Sequence, residues 1–362
     1  MPITQDKALA ALRTVQDPEL FKDIVTLNMV KHVAVEADVV RVTVELTTPA
    51  CPMKEKIEAD VTTALKRAGA VDVHVELTAD TRGGKANASN GAANALPQVK
   101  NVIAVGAGKG GVGKSTVAVN LAIGLQRSGA TVGLMDGDIY GPSMPTMLGI
   151  KGEVPRTTAD RKKILPHYVH GIYAVTIGSL VEEEKPLIWR GPMAHGAFKQ
   201  LLLDNTQWPE LDYLVVDLPP GTGDVPLTLC QTLPLTGAVV VATPQQVAID
   251  DATRAVRMFQ QLNTPVLGLV ENMSHFVTPT GEEHDIFGRG GTVNAAKKLK
   301  LDFLGELPMF TELRENCDAG KPHANFERNA RLREALEHIV GRVAGEVSKR
   351  NLSFRAPTLE IL

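Results

Sequence analysis

From residue 99 onward, short unbroken apolar runs recur, each ending in a polar residue or glycine. They are VIAV at 102–105, VGLMD at 132–136, YLVVD at 213–217, AVVVA at 238–242 and VLGLV at 266–270. Continuous runs, as opposed to alternating ones, mark strands buried on both faces of a parallel sheet. Helical spacings lie between them, such as Val117, Leu121 and Leu125, and Val256, Phe259 and Leu262. This alternation predicts right-handed βαβ units and an α/β fold, a doubly wound and mostly parallel sheet over residues 99–350. Ligands of such sheets bind outside the C-terminal ends of the strands.

The chain before residue 80 follows another pattern. Val40, Val42, Val44 and Leu46 alternate with polar residues, as do Val71, Val73, Val75 and Leu77. Each set predicts a strand with one buried face. Ile57, Val61, Ala64, Leu65 and Ala68 follow helical spacing, and Ala8, Leu9, Leu12 and Val15 suggest a first helix. Residues 1–79 therefore read as a small α+β domain. Residues 80–98, rich in Ala, Asn and Gly with no aromatic residue or period, read as a flexible linker, and 351–362 as a C-terminal tail.

The first buried run leads into GKGGVGKST, residues 108–116. Gly108, Gly113, Lys114 and Ser115 satisfy the phosphate-loop spacing, and a strand before and a helix after supply the right context. Glycines let successive N–H groups of Gly108, Lys109, Gly110, Gly111, Val112 and Gly113 turn toward phosphate oxygens, and the helix start at Lys114–Thr116 adds a positive dipole end. Lys114 is expected to reach the β- and γ-phosphates and Ser115 to ligate Mg²⁺.

Two carboxylate segments join the loop. In LMDGDIYGPS, Asp138 is placed to orient an attacking water and Asp136 to order the Mg²⁺ shell. In YLVVDLPPGTGD, Asp217 ends a buried strand and can hold Mg²⁺, while Gly221 and Gly223 suit a segment that changes shape around the γ-phosphate. No NKxD guanine reader occurs. Asn272, after VLGLV and Glu271, offers an amide donor and acceptor that match the adenine edge, so ATP is expected over GTP.

Charge and composition narrow the partners. Net charge is −3, which disfavours a protein that coats nucleic acid. The clusters at 161–163 and 297–300 are short and read as solvated faces. No apolar run approaches the roughly 18 residues of a membrane span, and the N-terminus lacks a basic region followed by an apolar block. A cytoplasmic protein without membrane or nucleic-acid partners is the expectation. The three cysteines, Cys51, Cys230 and Cys317, are far apart and form no CxxC. Cys230 lies in an apolar helical stretch and reads as core; His275 and His284 read as ordinary loop histidines.

Taken in order, GKGGVGKST, DGDIYGPSMPTMLG, IWRGPM (188–193), DYLVVDLPPGTGD, TPQQVAIDD (243–251), LGLVENMS, IFGRGG and LGELPM (304–309) resemble the Mrp/ApbC family of iron–sulfur cluster carrier ATPases. DPEL (17–20) and LTTPACPM (46–53) resemble the small MIP18-like iron–sulfur-assembly domain that often precedes it. The second lysine of the loop, Lys109, resembles that of the deviant P-loop of the MinD/ParA class, where it reaches the partner subunit's nucleotide. The resemblance implies a homodimeric ATPase that uses Lys109, Lys114 and Asp138 in turnover and passes a cluster to apoproteins. At one point the sequence departs. Thr278, Pro279, Thr280 and Gly281 stand where the family commonly carries C-x-x-C, and neither Thr nor Gly replaces a thiolate. Cys51, in a turn before a helix where its pKa would be lowered, is the one plausible thiolate for a cluster. The alternative is a cluster-free switch of the MinD/ParA kind acting through partner proteins. The turn 278–281 is expected to place Gly281 at positive φ.

Overall fold

The computed structural model describes residues 3–17, 22–46, 48, 53–79, 96–138, 141–179, 196, 204–278 and 280–353. The chain divides into two compact units, residues 1–84 with 344–362, and residues 85–343. In the first, helix α1 (Gln5–Leu12) begins at Thr4, whose hydroxyl accepts from the Lys7 N–H. Strands β1 (Val30–Glu36), β2 (Val39–Leu46) and β3 (Asp72–Ala79) form one sheet in that order, with helix α2 (Lys54–Arg67) between β2 and β3 in the chain. Strand β2 is central, and Val40, Val42, Val44 and Leu46 are all buried with Leu12, Ile57, Val61 and Leu65. Each such side chain contributes roughly 1.5–3 kcal/mol by leaving water. Val71, expected on a buried face, is 75% exposed. It precedes β3, which lies at the sheet edge and keeps Val73, Val75 and Leu77 only half-buried.

The second unit carries a nine-stranded sheet. Its parallel strands are β4 (Val99–Gly106), β5 (Val132–Asp136), β7 (Ile172–Thr176), β8 (Leu211–Asp217), β9 (Gly237–Ala242), β10 (Val266–Val277) and β12 (Phe303–Met309). Two short strands, β6 (His167–Val169) and β11 (Glu283–His284), pair antiparallel with β7 and β10. The order is β11-β10-β9-β4-β8-β5-β7-β6, with β12 on β10. All five strands expected from apolar runs are present, and the mostly parallel α/β sheet is as the pattern predicts. Helices α3 (Lys114–Arg127), α4 (Met144–Leu148), α5 (Asp224–Thr232), α6 (Gln246–Gln261), α7 (Gly291–Leu299), α8 (Thr311–Asp318) and α9 (Ala330–Ser353) alternate with or follow these strands. Helix α3 is buried from Val117 through Leu125, so it lies inside the unit and not on its surface. No described helix is long and apolar enough to cross a membrane.

Leu96, assigned to the linker, is 1% exposed within the large core, and the Gln98 carbonyl accepts from the Leu211 N–H. The anchoring of the sheet therefore begins before residue 99; residues 80–95 lie outside the described set. At the other end, helix α9 runs through Ser353, and residues 344–362 group with the small unit instead of ending the sheet domain at 350.

Candidate functional site

Strand β4 ends at Gly106 and helix α3 begins at Lys114, so the glycine-rich loop spans the C-terminal edge of the central strand. Two glycines are obligatory for different reasons. A Cβ at Gly108 would lie 2.1 Å from the Asp251 backbone. Gly113 has φ of 80°, and a Cβ there would lie 2.1 Å from Asn272 Nδ2. At these two positions no side chain can enter without moving the loop's supports.

Lys114 is 6% exposed, and its Nζ lies 2.6 Å from Asp217 Oδ1 and 3.7 Å from Asp138 Oδ2. The Ser115 hydroxyl donates to Asp217 Oδ2 at 2.5 Å. The register of the sheet explains this convergence. Thr176 pairs with Asp136 across β7 and β5, and Asp136 with Asp217 across β5 and β8. Three strand ends thus place Thr176, Asp136 and Asp217 in one row beside the loop. Asp136 is fully buried: Oδ2 accepts from the Thr176 hydroxyl at 2.9 Å and Oδ1 from the Asp138 N–H at 3.1 Å. Each oxygen thus accepts one hydrogen bond, and through Oδ1 Asp136 holds the Asp138 backbone.

The electrostatics follow from burial. Desolvation raises the Asp217 carboxyl above the ordinary range, and Lys114 opposes it. Burial, then the neighbouring Asp217, push Asp136 to about 7. Lys109 is half-buried and, among the described residues, forms no ion pair.

The site fits a triphosphate and a hard divalent cation on its own geometry. Helix α3 has no side-chain hydrogen bond at its N-cap, which leaves its first N–H groups for an anion. A primary ammonium and a hydroxyl share that end, and all the anionic donors beside them are oxygens, the set Mg²⁺ prefers. The Gly221 N–H donates to the Ala107 carbonyl at 2.9 Å, and Gly221 adopts φ of 95°. The segment expected to respond to the γ-phosphate is therefore tied to the loop's base.

Strand β10 supplies a second wall. Asn272, expected at the base, is 4% exposed and donates from Nδ2 to the Val112 carbonyl at 2.8 Å, pinning the loop. Glu271 is fully buried and accepts from the N–H groups of Gly290 and Thr292 at 2.8 and 2.7 Å, which caps helix α7. Met273 adopts φ of 55°, at a register shift between β10 and β12. Sequence reasoning missed Thr176, Glu271 and Met273. Only Glu271, a carboxylate next to a buried run and followed later by a glycine-started helix, left a trace in the pattern.

After β10 the chain turns back, and β11 pairs antiparallel with it, Phe276 opposite His284. Gly281 adopts φ of 88°, as the turn chemistry predicts. His275, expected in a loop, is a buried strand residue: Nδ1 meets Ser274 Oγ at 3.0 Å and Nε2 lies 3.7 Å from Glu283. His284 is exposed on β11. Neither described cysteine fits a cluster ligand. Cys230 is core, its thiol pushed up to about 12 by burial. Cys317 lies buried on α8 against Asn325 and Asn120, its thiol also raised by burial. Among the described residues no group of three or more His, Cys, Asp or Glu is arranged to hold a metal ion. Cys51 and residues 188–193 lie outside the described residues.

A phosphate loop on the central strand of a parallel sheet, with a lysine, a serine and strand-end aspartates converging on it, defines a P-loop NTPase. Residues 98–344 match the model of the NUBPL iron-transfer P-loop NTPase, and residues 5–77 that of an iron-sulfur cluster assembly protein. The chain belongs to the NUBPL iron-transfer P-loop NTPase family. The iron-sulfur cluster carrier protein of Deinococcus radiodurans is 48% identical over 359 residues, 99% of each chain. That of Escherichia coli K12 is 42% identical over 358 residues, 95% of this chain and 94% of that protein. Among solved structures, a nucleotide-binding protein from Archaeoglobus fulgidus in complex with ADP is 37% identical with a TM-score of 0.56, covering 63% of this chain and 89% of that one. The Pyrococcus furiosus cell division ATPase MinD shares the fold at 19% identity and a TM-score of 0.51, covering 67% of this chain and 98% of that one.

Proposed function

We propose that this protein is an ATP-hydrolysing switch that holds iron–sulfur clusters and hands them to apoproteins, working as a homodimer. The observation that carries the reading is the convergence of Lys114, Ser115, Asp138 and Asp217 at the start of an uncapped helix. Lys114 exchanges its carboxylate partner for the β- and γ-phosphates when ATP enters. Ser115 and Asp217, released from that pair, would hold Mg²⁺, which when bound would supply charge neutralisation at the phosphates. Asp138 orients the attacking water. Backbone N–H groups from Gly108 through Thr116 surround the phosphates. The Asn272 amide, fixed by Val112, presents its oxygen to the exocyclic amine of adenine. Lys109, which has no ion-pair partner among the described residues, reaches the nucleotide of the second subunit.

The cargo reading rests on the relatives' names and on the small domain's family match. Cys51 is the thiolate proposed for it, since Cys230 and Cys317 are buried with raised thiol pKa values. One cysteine per subunit supplies two thiolates to a dimer, so a partner or client would complete the ligand set. A cluster-free switch is the second reading, favoured by the thiol-free hairpin at 276–284. Anaerobic purification followed by iron and sulfide analysis, wild type beside Cys51→Ala, separates them. Iron and sulfide in the wild type that fall at least several-fold in the variant support the carrier. Cluster-free wild type that still hydrolyses ATP leaves the switch. Addition of ATP should shift the sedimenting species from monomer to dimer.

A further inference from the structure

The structure assigns Thr176 as a positioning residue for hydrolysis, acting on Asp138 through the buried carboxylate of Asp136. This inference rests on the reading of Asp138 as the water-orienting group. Thr176 ends strand β7, outside the phosphate loop and both aspartate motifs. It is 2% exposed. Its hydroxyl has two partners: it accepts from the Gly178 N–H at 3.1 Å and donates to Asp136 Oδ2 at 2.9 Å. The accepted bond fixes the direction of the donated one. Asp136 in turn uses Oδ1 to hold the backbone N–H of Asp138 at 3.1 Å. The Asp138 carboxylate then faces Lys114 Nζ at 3.7 Å.

The chain of contacts runs from a strand end to the chemistry without touching nucleotide. Thr176 is not in contact with Lys114, Ser115 or Asp217 through any hydrogen bond found among the described residues. Its loss should leave phosphate binding intact. What it should disturb is the aim of Asp138. Asp136 pairs in register with Asp217, and the Thr176 and Asp138 bonds fix the orientation of its carboxyl. Without the hydroxyl, Asp136 is free to turn, and the Asp138 backbone loses its fixed acceptor. Misplacement of a reacting group by about 1 Å costs on the order of 100-fold in rate.

The test compares full-length Thr176→Val and Thr176→Ser in steady-state phosphate release, with MgADP binding followed by a fluorescent analogue. Expected for Thr176→Val is a fall in kcat of roughly 10- to 100-fold with KM and MgADP affinity within about two-fold of wild type. Thr176→Ser, which keeps the hydroxyl, should retain most of the turnover. A purely structural role would lower both variants together, or raise KM while kcat falls. If Thr176→Val does not fold, as judged by circular dichroism and MgADP binding, Thr176→Ala carries the same expectation. Wild-type kcat in a folded Val or Ala variant, or an equal loss in the serine variant, overturns the assignment while leaving the ATPase reading in place. A wild-type protein that binds MgATP without releasing phosphate overturns the hydrolysis reading, and this assignment with it.

Discussion

Lys114 brings its charge into a pocket where the other charges are carboxylates, and Asp217 there is wholly buried. Removing one partner of a buried pair leaves the other uncompensated, at a cost of about 3 kcal/mol or more. Lys114→Ala is therefore expected to abolish phosphate release and also to lower the urea midpoint. Lys114→Ala combined with Asp217→Asn should regain most of the stability and none of the turnover. Equal midpoints for wild type and Lys114→Ala would show that the pair does not hold the pocket together. At this scale the readable residues were those set by local spacing: Gly108, Lys114, Ser115, Asp138 and Asp217. Others depend on strand order. Asn272 meets Val112, 160 positions away, and Thr176 meets Asp136, 40 positions away. No local motif contains both members of either pair, so the loop-pinning bond of Asn272 and the contact of Thr176 with Asp136 were invisible.

Strand β10 carries three separate duties along one extended segment. Glu271 caps α7, Asn272 pins the loop, and Phe276 and Val277 begin the hairpin. Glu271 accepts two N–H groups with a buried, charged side chain, and the helix it caps has no capping side chain at Gly290. Glu271→Ala is expected to destabilise the fold by about 2–3 kcal/mol, from two orphaned donors at a helix start. A chemical denaturation series reads this, and a change under about 0.5 kcal/mol would contradict the capping role. The five buried parallel strands were legible because each is apolar on both faces. The edge pieces β6 and β11 were not, since they run only three and two residues and have no core face to impose a period. Strand β10 was legible only through Val270; its continuation to Val277 passes a register shift at Met273 that breaks the alternation.

The grouping of 344–362 with the small unit left no trace in the sequence, because helix α9 keeps one helical pattern across residue 344. The stability of the whole molecule against pH brings distant groups into one measurement. Asp136 has its carboxyl raised from 3.8 to about 7 by burial and by Asp217. A raised acid favours the folded state fully below its unfolded value, and that contribution is lost as pH rises through about 7. His170 and His167 work in the other direction. Burial lowers both imidazoles below 6.5, against the pull of the Leu148 carbonyl on His170 and of Glu153 on His167; the stacked His323 adds to the lowering at His170. A lowered base supports the folded state above 6.5 and loses that support as pH falls below it. Asp136→Asn keeps an acceptor for the Asp138 N–H and removes the titration. It should therefore melt above wild type at pH 8, with the gain shrinking through pH 7 and gone near pH 4. His170→Asn should flatten the acid side alone, leaving the pH 8 midpoint near that of a neutral substitution. Thermal melts of the nucleotide-free protein from pH 4 to 8 measure both. A shift for Asp136→Asn that is constant across the range would mean that burial and Asp217 do not raise the Asp136 carboxyl in the folded protein.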